Sequence, residues 1–93
     1  MILLDVEAVF EKVEKLRIRM DRIEKNPDPN QWQETRLLIQ ALTETVSRSK
    51  KNGDPCSRKI RMDVPEPIRG DWQELVDVLA KKGIKAETRK KGS

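Results

Sequence analysis

The first half of the chain carries an apolar stripe with the spacing of a packed helix. Its members recur at intervals of 4, 3, 4, 3, 4 and 3 positions. This is the a/d pattern of helices that pack side by side. With Asp5 as a suitable N-cap, the pattern predicts a helix over about residues 5–25. The stripe consists of Ile2, Val6, Val9, Val13, Leu16, Met20 and Ile23.

The segment KNPDPNQ ends this helix and begins a second one. Pro27 disfavours a helical backbone at Asn26, because the proline ring collides with the preceding residue. Asp28 is a suitable N-cap, and Pro29 fits the first position of a new helix. Gln31 completes a capping-box-like D-x-x-Q. The segment therefore predicts a tight turn between two helices.

The second helix continues the same spacing. It is predicted over about residues 29–51, with Asn52-Gly53 as a left-handed stop. Two helices joined by so short a turn are expected to lie antiparallel. Residues 1–53 are thus predicted to form a coiled-coil-like helical hairpin. The second stripe consists of Trp32, Thr35, Ile39, Leu42 and Val46, and Leu38 widens it.

After a predicted linker at residues 54–57, the apolar period changes from helical to alternating. Ile60, Met62 and Val64 alternate with charged residues, which predicts a strand over residues 59–64. A second alternation, carried by Ile84, Ala86 and Thr88, predicts a strand over residues 84–89. The separation between them is long enough for a crossover that makes the strands parallel.

A third helix is predicted between the strands, over residues 71–82. Asp71 stands at its N-cap position with Glu74 three residues later, and Gly83 follows its last turn. Its apolar face comprises Trp72, Leu75, Val76 and Leu79, with Val78 broadening it.

These elements predict an α+β fold in which an antiparallel helical hairpin precedes a small β-α-β unit at residues 58–89. Residues 90–93 are predicted to be a disordered tail, and the whole to be one compact domain. A two-stranded sheet needs further cover. The segment MILL could add a strand, the hairpin could cover the other sheet face, or two protomers could join their sheets.

Composition favours self-association. Apolar residues make up 35% of the 93 residues and aromatic residues 3%, which is little material for a core. Phe10, Ile18 and Leu37 fall outside the a/d seam and are the candidate oligomer or partner surface. Two hairpins docking into a four-helix bundle would bury them, which favours a homodimer. A helix of a partner protein would bury them equally well.

The net charge of +4 is unevenly distributed. Residues 1–55 contain ten basic and ten acidic side chains, whereas residues 56–93 contain ten basic and six acidic ones. The candidate surface for an anionic partner comprises Lys59, Arg61, Lys85 and Arg89, interspersed with Asp63 and Glu87. It is compatible with a solvated sheet face, with phosphate-dominated binding of DNA or RNA, or with an acidic protein.

The sequence offers little for catalysis. It has no histidine, so Ser-His and Cys-His pairs are excluded, and it lacks the common glycine-rich phosphate loops. Cys56 is the only cysteine, so an intramolecular disulfide is excluded. We expect no catalytic residue, no metal site, no cofactor and no small-molecule substrate. The short apolar run at the N-terminus and the lack of a membrane-length segment predict a soluble, intracellular protein.

Two functions remain open from the sequence. The leading hypothesis is a small non-enzymatic protein-interaction or regulatory protein that self-associates through its helical hairpin and binds a larger partner. The alternative is a nucleic-acid-binding accessory protein that uses the basic C-terminal surface with weak sequence specificity.

Overall fold

Two long helices form the N-terminal half of the structure, a computed structural model that describes residues 2–51 and 58–90. Helix α1 spans Val6–Lys25 and helix α2 spans Pro29–Arg48. Strand β1 (Lys59–Val64), helix α3 (Arg69–Lys81) and strand β2 (Lys85–Lys90) follow. The chain is therefore α+β with a helical N-terminal half, as predicted. The predicted linker, the Asn52-Gly53 stop and residues 91–93 lie outside the described residues.

Both N-caps of the long helices form as the sequence indicates. The Asp5 carboxylate accepts a hydrogen bond from the backbone N–H of Ala8 at 3.2 Å. The Asp28 carboxylate accepts one from Asn30 at 3.0 Å, and a proline occupies the first turn of α2. Each cap satisfies a backbone donor that has no partner within the helix.

Helix α2 ends at Arg48, three residues before the predicted end. The reason is long-range: the backbone of Lys50 pairs with the N-terminal segment. Its N–H donates to the Ile2 carbonyl at 2.8 Å, and its carbonyl accepts from Leu4 at 2.9 Å. Residues 2–4 thus pair beside the end of α2 and do not extend the β1–β2 sheet.

Helix α3 begins at Arg69, two residues before the predicted start. A 3-10 turn at Glu66–Ile68 leads directly into it, and Ile68 occupies the N-cap position without a side-chain bond. The prediction of Asp71 as the N-cap is therefore wrong. The end of the helix follows the sequence: Gly83 has a φ of 85°, a conformation that glycine adopts readily.

The two strands pair in parallel, with Lys59 opposite Lys85 and Arg61 opposite Glu87. Strand β1 spans the predicted residues, whereas β2 begins and ends one residue later than predicted. The assignment of Lys90 to a disordered tail is therefore wrong, because its backbone pairs opposite Val64 of β1. Ile60, Met62 and Val64 of β1 are buried, whereas the residues between them are exposed. One face of the sheet is therefore apolar and the other is charged.

A single core joins every element. Trp72 of α3, Ile39 and Val46 of α2, and Val64 of β1 have no exposed surface. Helix α1 contributes the residues of its predicted stripe from Val9 to Met20, whereas Ile23 is buried outside this core and Ile2 at the start of the stripe is 81% exposed. The remaining buried apolar residues are Leu4, Val9, Val13, Leu16, Met20, Ile23, Leu42, Ile60, Met62, Ile68, Leu75, Leu79 and Ile84.

Candidate functional site

Charge is segregated around α1. Successive residues of a helix are rotated by 100°, so residues at intervals of three and four share one flank. One flank carries Lys12, Lys15, Arg19 and Arg22. The flank on the other side of the buried stripe is predominantly acidic: it carries Glu7, Glu14, Asp21 and Glu24, together with Arg17, which pairs with Glu14 at 3.3 Å. The equal numbers of acids and bases in this half of the chain therefore conceal two flanks of opposite charge.

The acidic flank of α1 faces the β1 side of the molecule. Glu7 pairs with Arg58 at 3.0 Å. The guanidinium of Arg17, on the same side, donates to the backbone carbonyl of Arg61 in β1. A groove at this junction is lined by Asp21 and Glu24 together with Arg61 and Arg89. Opposite charges thus meet where α1 packs beside the sheet.

The basic flank of α1 borders a groove between α1 and α2. The groove has a volume of about 500 Å³. Among the residues that the structure describes, its lining includes four cations and no carboxylate. We call this feature the α1–α2 groove. Its lining residues are Lys12, Lys15, Leu16, Ile18, Arg19, Arg22, Leu38, Ala41, Leu42 and Thr45.

The apolar part of the α1–α2 groove is open to solvent. Ile18 is 53% exposed and Leu38 is 49% exposed, whereas Leu16 and Leu42 beneath them are buried. The prediction that Leu38 widens the packed stripe of α2 is wrong. The core lies on the other flank of α2, because α3 packs there against Ile39 and its neighbours.

Arg19 holds one part of the groove in a fixed geometry. Its Nε donates to the buried Thr35 hydroxyl at 2.9 Å, and its Nη2 donates to Gln31 at 3.0 Å and to Glu34 at 2.6 Å. The sequence predicts that the Gln31 side chain completes a capping box at the start of α2, but its oxygen instead accepts a hydrogen bond from Arg19 of α1. Arg19 joins α1 to α2 near the turn, and a neighbouring carboxylate neutralises its charge.

The other three cations of the groove are less involved in ion pairs than Arg19. Lys12, Lys15 and Arg22 are exposed. Within residues 2–51 and 58–90, Lys12 and Arg22 form no side-chain ion pair, and Lys15 contacts only Glu11 at 3.7 Å. An exposed pair of this kind contributes little, so these three charges remain largely uncompensated.

The predicted partner residues Phe10, Ile18 and Leu37 do not form one surface. Ile18 lines the α1–α2 groove, and Leu37 is 54% exposed outside that lining. Phe10 is half-buried against the core, with the Arg58 guanidinium 4.1 Å from its ring centroid. The partner role of these residues stays a prediction. Sequence reasoning missed Leu38 and the basic flank, although the spacing of Lys12, Lys15, Arg19 and Arg22 indicates the latter.

The structure does place the four predicted strand cations on one face. Residues opposite each other in the register point to the same side of a sheet, and Lys59, Arg61, Lys85 and Arg89 are all exposed. Glu87 lies between them, 3.4 Å from Lys59 and 3.4 Å from Arg61. Asp63 is opposite Arg89 in the register. This face is therefore mixed, with two carboxylates among four cations.

No described helix combines the length and apolar character that crossing a membrane requires. Comparison of the chain with protein families, with curated proteins and with solved structures finds no match. The grooves, the charges and the exposed apolar side chains described above are therefore the basis for inferring a function.

Proposed function

We propose that the protein is a non-enzymatic interaction protein that binds a larger protein partner through its N-terminal, coiled-coil-like helical hairpin. The observation that supports this is the α1–α2 groove, where Ile18 and Leu38 are half-exposed beside a row of cations. Within residues 2–51 and 58–90 no helix or strand covers this side of the hairpin, whereas α3 and β1 pack on the opposite side.

The size of the apolar contribution favours a large partner. Full burial of one leucine or isoleucine is favourable by about 1.5–3 kcal/mol. A partner that completes the burial of the two half-exposed side chains would therefore gain about 2 kcal/mol of binding free energy from them. Micromolar binding needs about 8 kcal/mol. The remainder has to come from further contacts along the groove and its rim, which a protein surface can supply.

Self-association through the hairpin is the other form of this proposal. Leu37 and the N-terminal Ile2 and Leu3 are exposed and could contribute to a homodimer. A symmetric pairing of two α1–α2 grooves is disfavoured, because it would place Lys12, Lys15 and Arg22 of one copy against the same cations of the other. Light scattering during size-exclusion chromatography, at several protein concentrations, measures whether the chain dimerises.

Photo-cross-linking tests the proposal. A benzoylphenylalanine introduced at Leu38 should form one or more defined protein adducts in the cells that produce the protein. The same group at Glu74, an exposed position on α3, is the matched control. Adducts from the Leu38 position alone would support docking at the hairpin. Equal adducts from both positions, or adducts from Glu74 alone, would contradict it.

A second candidate is a nucleic-acid-binding accessory protein. It is favoured by the common face of Lys59, Arg61, Lys85 and Arg89. Fluorescence anisotropy with labelled single-stranded and duplex DNA and RNA tests it at low and near-physiological salt. Phosphate contacts predict affinity that falls steeply with salt and is lost when all four cations are changed to Glu. Retained binding in that variant would reject this face.

A further inference from the structure

We propose that the α1–α2 groove binds an acidic amphipathic helix of another protein. The inference rests on the proposed function, because it names the class of partner for the same hairpin. Three features of the groove carry it: an apolar floor, a basic rim on one side, and a length suited to a short helix.

The length follows from the spacing of the rim. Lys12 and Arg22 are ten residues apart, which corresponds to about 15 Å along α1. A docked helix of about three turns would lie along the whole rim. Such a helix presents apolar side chains at i, i+3, i+4 and i+7, which is the pattern that fits a groove between two helices.

The charge of the rim selects the partner. Lys12, Lys15 and Arg22 are exposed on one flank of the groove, and the groove lining within the described part of the chain includes no carboxylate. Glu or Asp on the adjacent flank of a docked helix would be attracted to these cations, and Lys or Arg there would be repelled. The rim therefore discriminates between helices that share the same apolar stripe.

The shape of the site favours a helix over the other anionic surfaces. Leu16 and Leu42 lie buried at the bottom of a concave groove, with Ile18 and Leu38 half-exposed above them. A projecting ridge of side chains can reach such a floor. A phosphate backbone would leave the apolar floor unused, and a flat lipid surface would contact chiefly its rim.

A displayed library of helical peptides tests the inference. Each peptide has 18 residues, with leucine fixed at the i, i+3, i+4 and i+7 positions and the flanking positions randomised. Selection on the intact protein should enrich Asp and Glu on one flank of the leucine stripe. Binding of the selected peptides should be lost with Leu38→Glu, and circular dichroism would verify that this variant remains folded.

Matched charge reversals then test the rim. In the variant Lys12→Glu/Lys15→Glu/Arg22→Glu, a selected peptide should bind about 10- to 100-fold more weakly, since each rim charge contributes a modest amount. The control variant Lys51→Glu/Lys81→Glu/Lys85→Glu changes the net charge equally, at exposed lysines away from the groove. Its affinity should remain within about twofold of the original at physiological salt, because exposed distant charges are screened.

Different outcomes separate this inference from the proposed function. Enriched peptides without acidic bias, whose binding still depends on Leu38, would overturn the acidic-helix inference and leave docking at the hairpin intact. Equal losses in the two charge-reversal variants would also overturn it. Absence of any Leu38-dependent peptide would overturn the inference, and if the Leu38 cross-linker also gave no adduct, the proposed function would fail with it. Binding of phosphatidylserine vesicles by the groove, with no peptide selected, would replace the helix with a membrane surface.

Discussion

The two sides of the α1–α2 pair differ in what covers them. On one side, Ile39 and Val46 of α2 meet Trp72 of α3 in a core that excludes solvent from all three side chains. On the other side, Ile18 and Leu38 retain about half of their exposure. The same two helices thus present one side that is packed in the core and one side on which apolar side chains stay open to solvent.

The charges follow the same division. The acidic flank of α1 meets basic residues, as in the pair of Glu7 with Arg58, and this compensates charge inside the molecule. The basic flank at Lys12, Lys15 and Arg22 meets no comparable set of acids in the described residues. The acidic flank of α1 is therefore compensated by contacts with the rest of the molecule, whereas the basic flank is compensated only in part.

The largest expected effect lies on the covered side. Trp72→Ala should lower the free energy of unfolding by about 3–5 kcal/mol, because it leaves a cavity and removes the hydrogen bond from the Trp72 indole to Thr88 at 2.9 Å. Urea unfolding followed by circular dichroism measures the loss. Trp32→Ala is the matched control, since Trp32 is only half-buried, and its loss should be smaller. Equal losses of unfolding free energy in the two variants would contradict the greater contribution assigned to the fully buried Trp72.

A smaller effect is expected at the polar link between α2 and α3. The Asp71 carboxylate accepts hydrogen bonds from Arg36 at 2.7 Å and from Gln40 at 3.0 Å. Asp71→Asn should cost about 1 kcal/mol at pH 7, a value kept low because Arg36 remains 44% exposed and solvent screens the pair. Chemical unfolding of the two proteins at pH 7 gives this difference. A variant as stable as the original protein would contradict the link.

The same carboxylate predicts a pH dependence. Hydrogen bonds from Gln40 and Arg36 lower the pKa of Asp71 from its ordinary value, against the opposing effect of burial. Its contribution to stability is therefore fully present above the unfolded pKa of about 4 and is lost as the pH falls through the lower folded pKa. The stability difference between the original protein and Asp71→Asn should shrink over that range. A difference that is constant with pH would contradict this assignment.

A still smaller effect is expected where Arg58 covers Phe10. Arg58→Ala removes a cation–π contact and the pair with Glu7, both near the surface, and should cost about 0.5–1 kcal/mol. Arg58→Lys should recover only part of this, because lysine lacks the planar guanidinium. Thermal or urea unfolding of the three proteins provides the test, and full recovery by lysine would exclude stacking as the source.

The smallest effect on stability is expected on the open side. Leu38→Gln should change the free energy of unfolding by less than about 1 kcal/mol, because glutamine favours helices and the side chain is already half-exposed. The same change should weaken partner binding. Unfolding and peptide binding measured on one preparation give both values, and a large loss of stability with unchanged binding would place Leu38 in the core instead.

Local signals in the sequence predict much of this fold. The start of each long helix follows from an aspartate cap, and the extent of β1 follows from alternation. The departures arise from distant contacts. Helix α2 stops early because Lys50 pairs with the N-terminal segment, and Asp71 bonds to side chains of α2 instead of capping α3. Neither the contact of Lys50 nor that of Asp71 can be predicted from the neighbouring residues in the sequence.

Of the two candidate binding surfaces, one could be predicted from the sequence and the other could not. The common face of the strand cations could be predicted, because alternation assigns each residue to a side of the sheet. The α1–α2 groove could not, since the a/d pattern identifies a seam but does not show which flank of α2 receives α3. Leu38 lies next to the seam on the flank that α3 leaves open. Of the parts of this groove, the basic flank of α1 is the one that its spacing in the sequence could have revealed.

Amine footprinting of the protein in a non-covalent complex with the partner identified by cross-linking distinguishes binding at the groove from binding at the sheet face. An amine-reactive reagent is applied to the free protein and to the complex, and modification is measured at Lys12 and Lys15 of the groove and at Lys59 and Lys85 of the sheet face. We expect the groove lysines to become protected in the complex while the sheet lysines stay reactive. Protection of Lys59 and Lys85, with Lys12 and Lys15 unchanged, would contradict it and assign binding to the sheet.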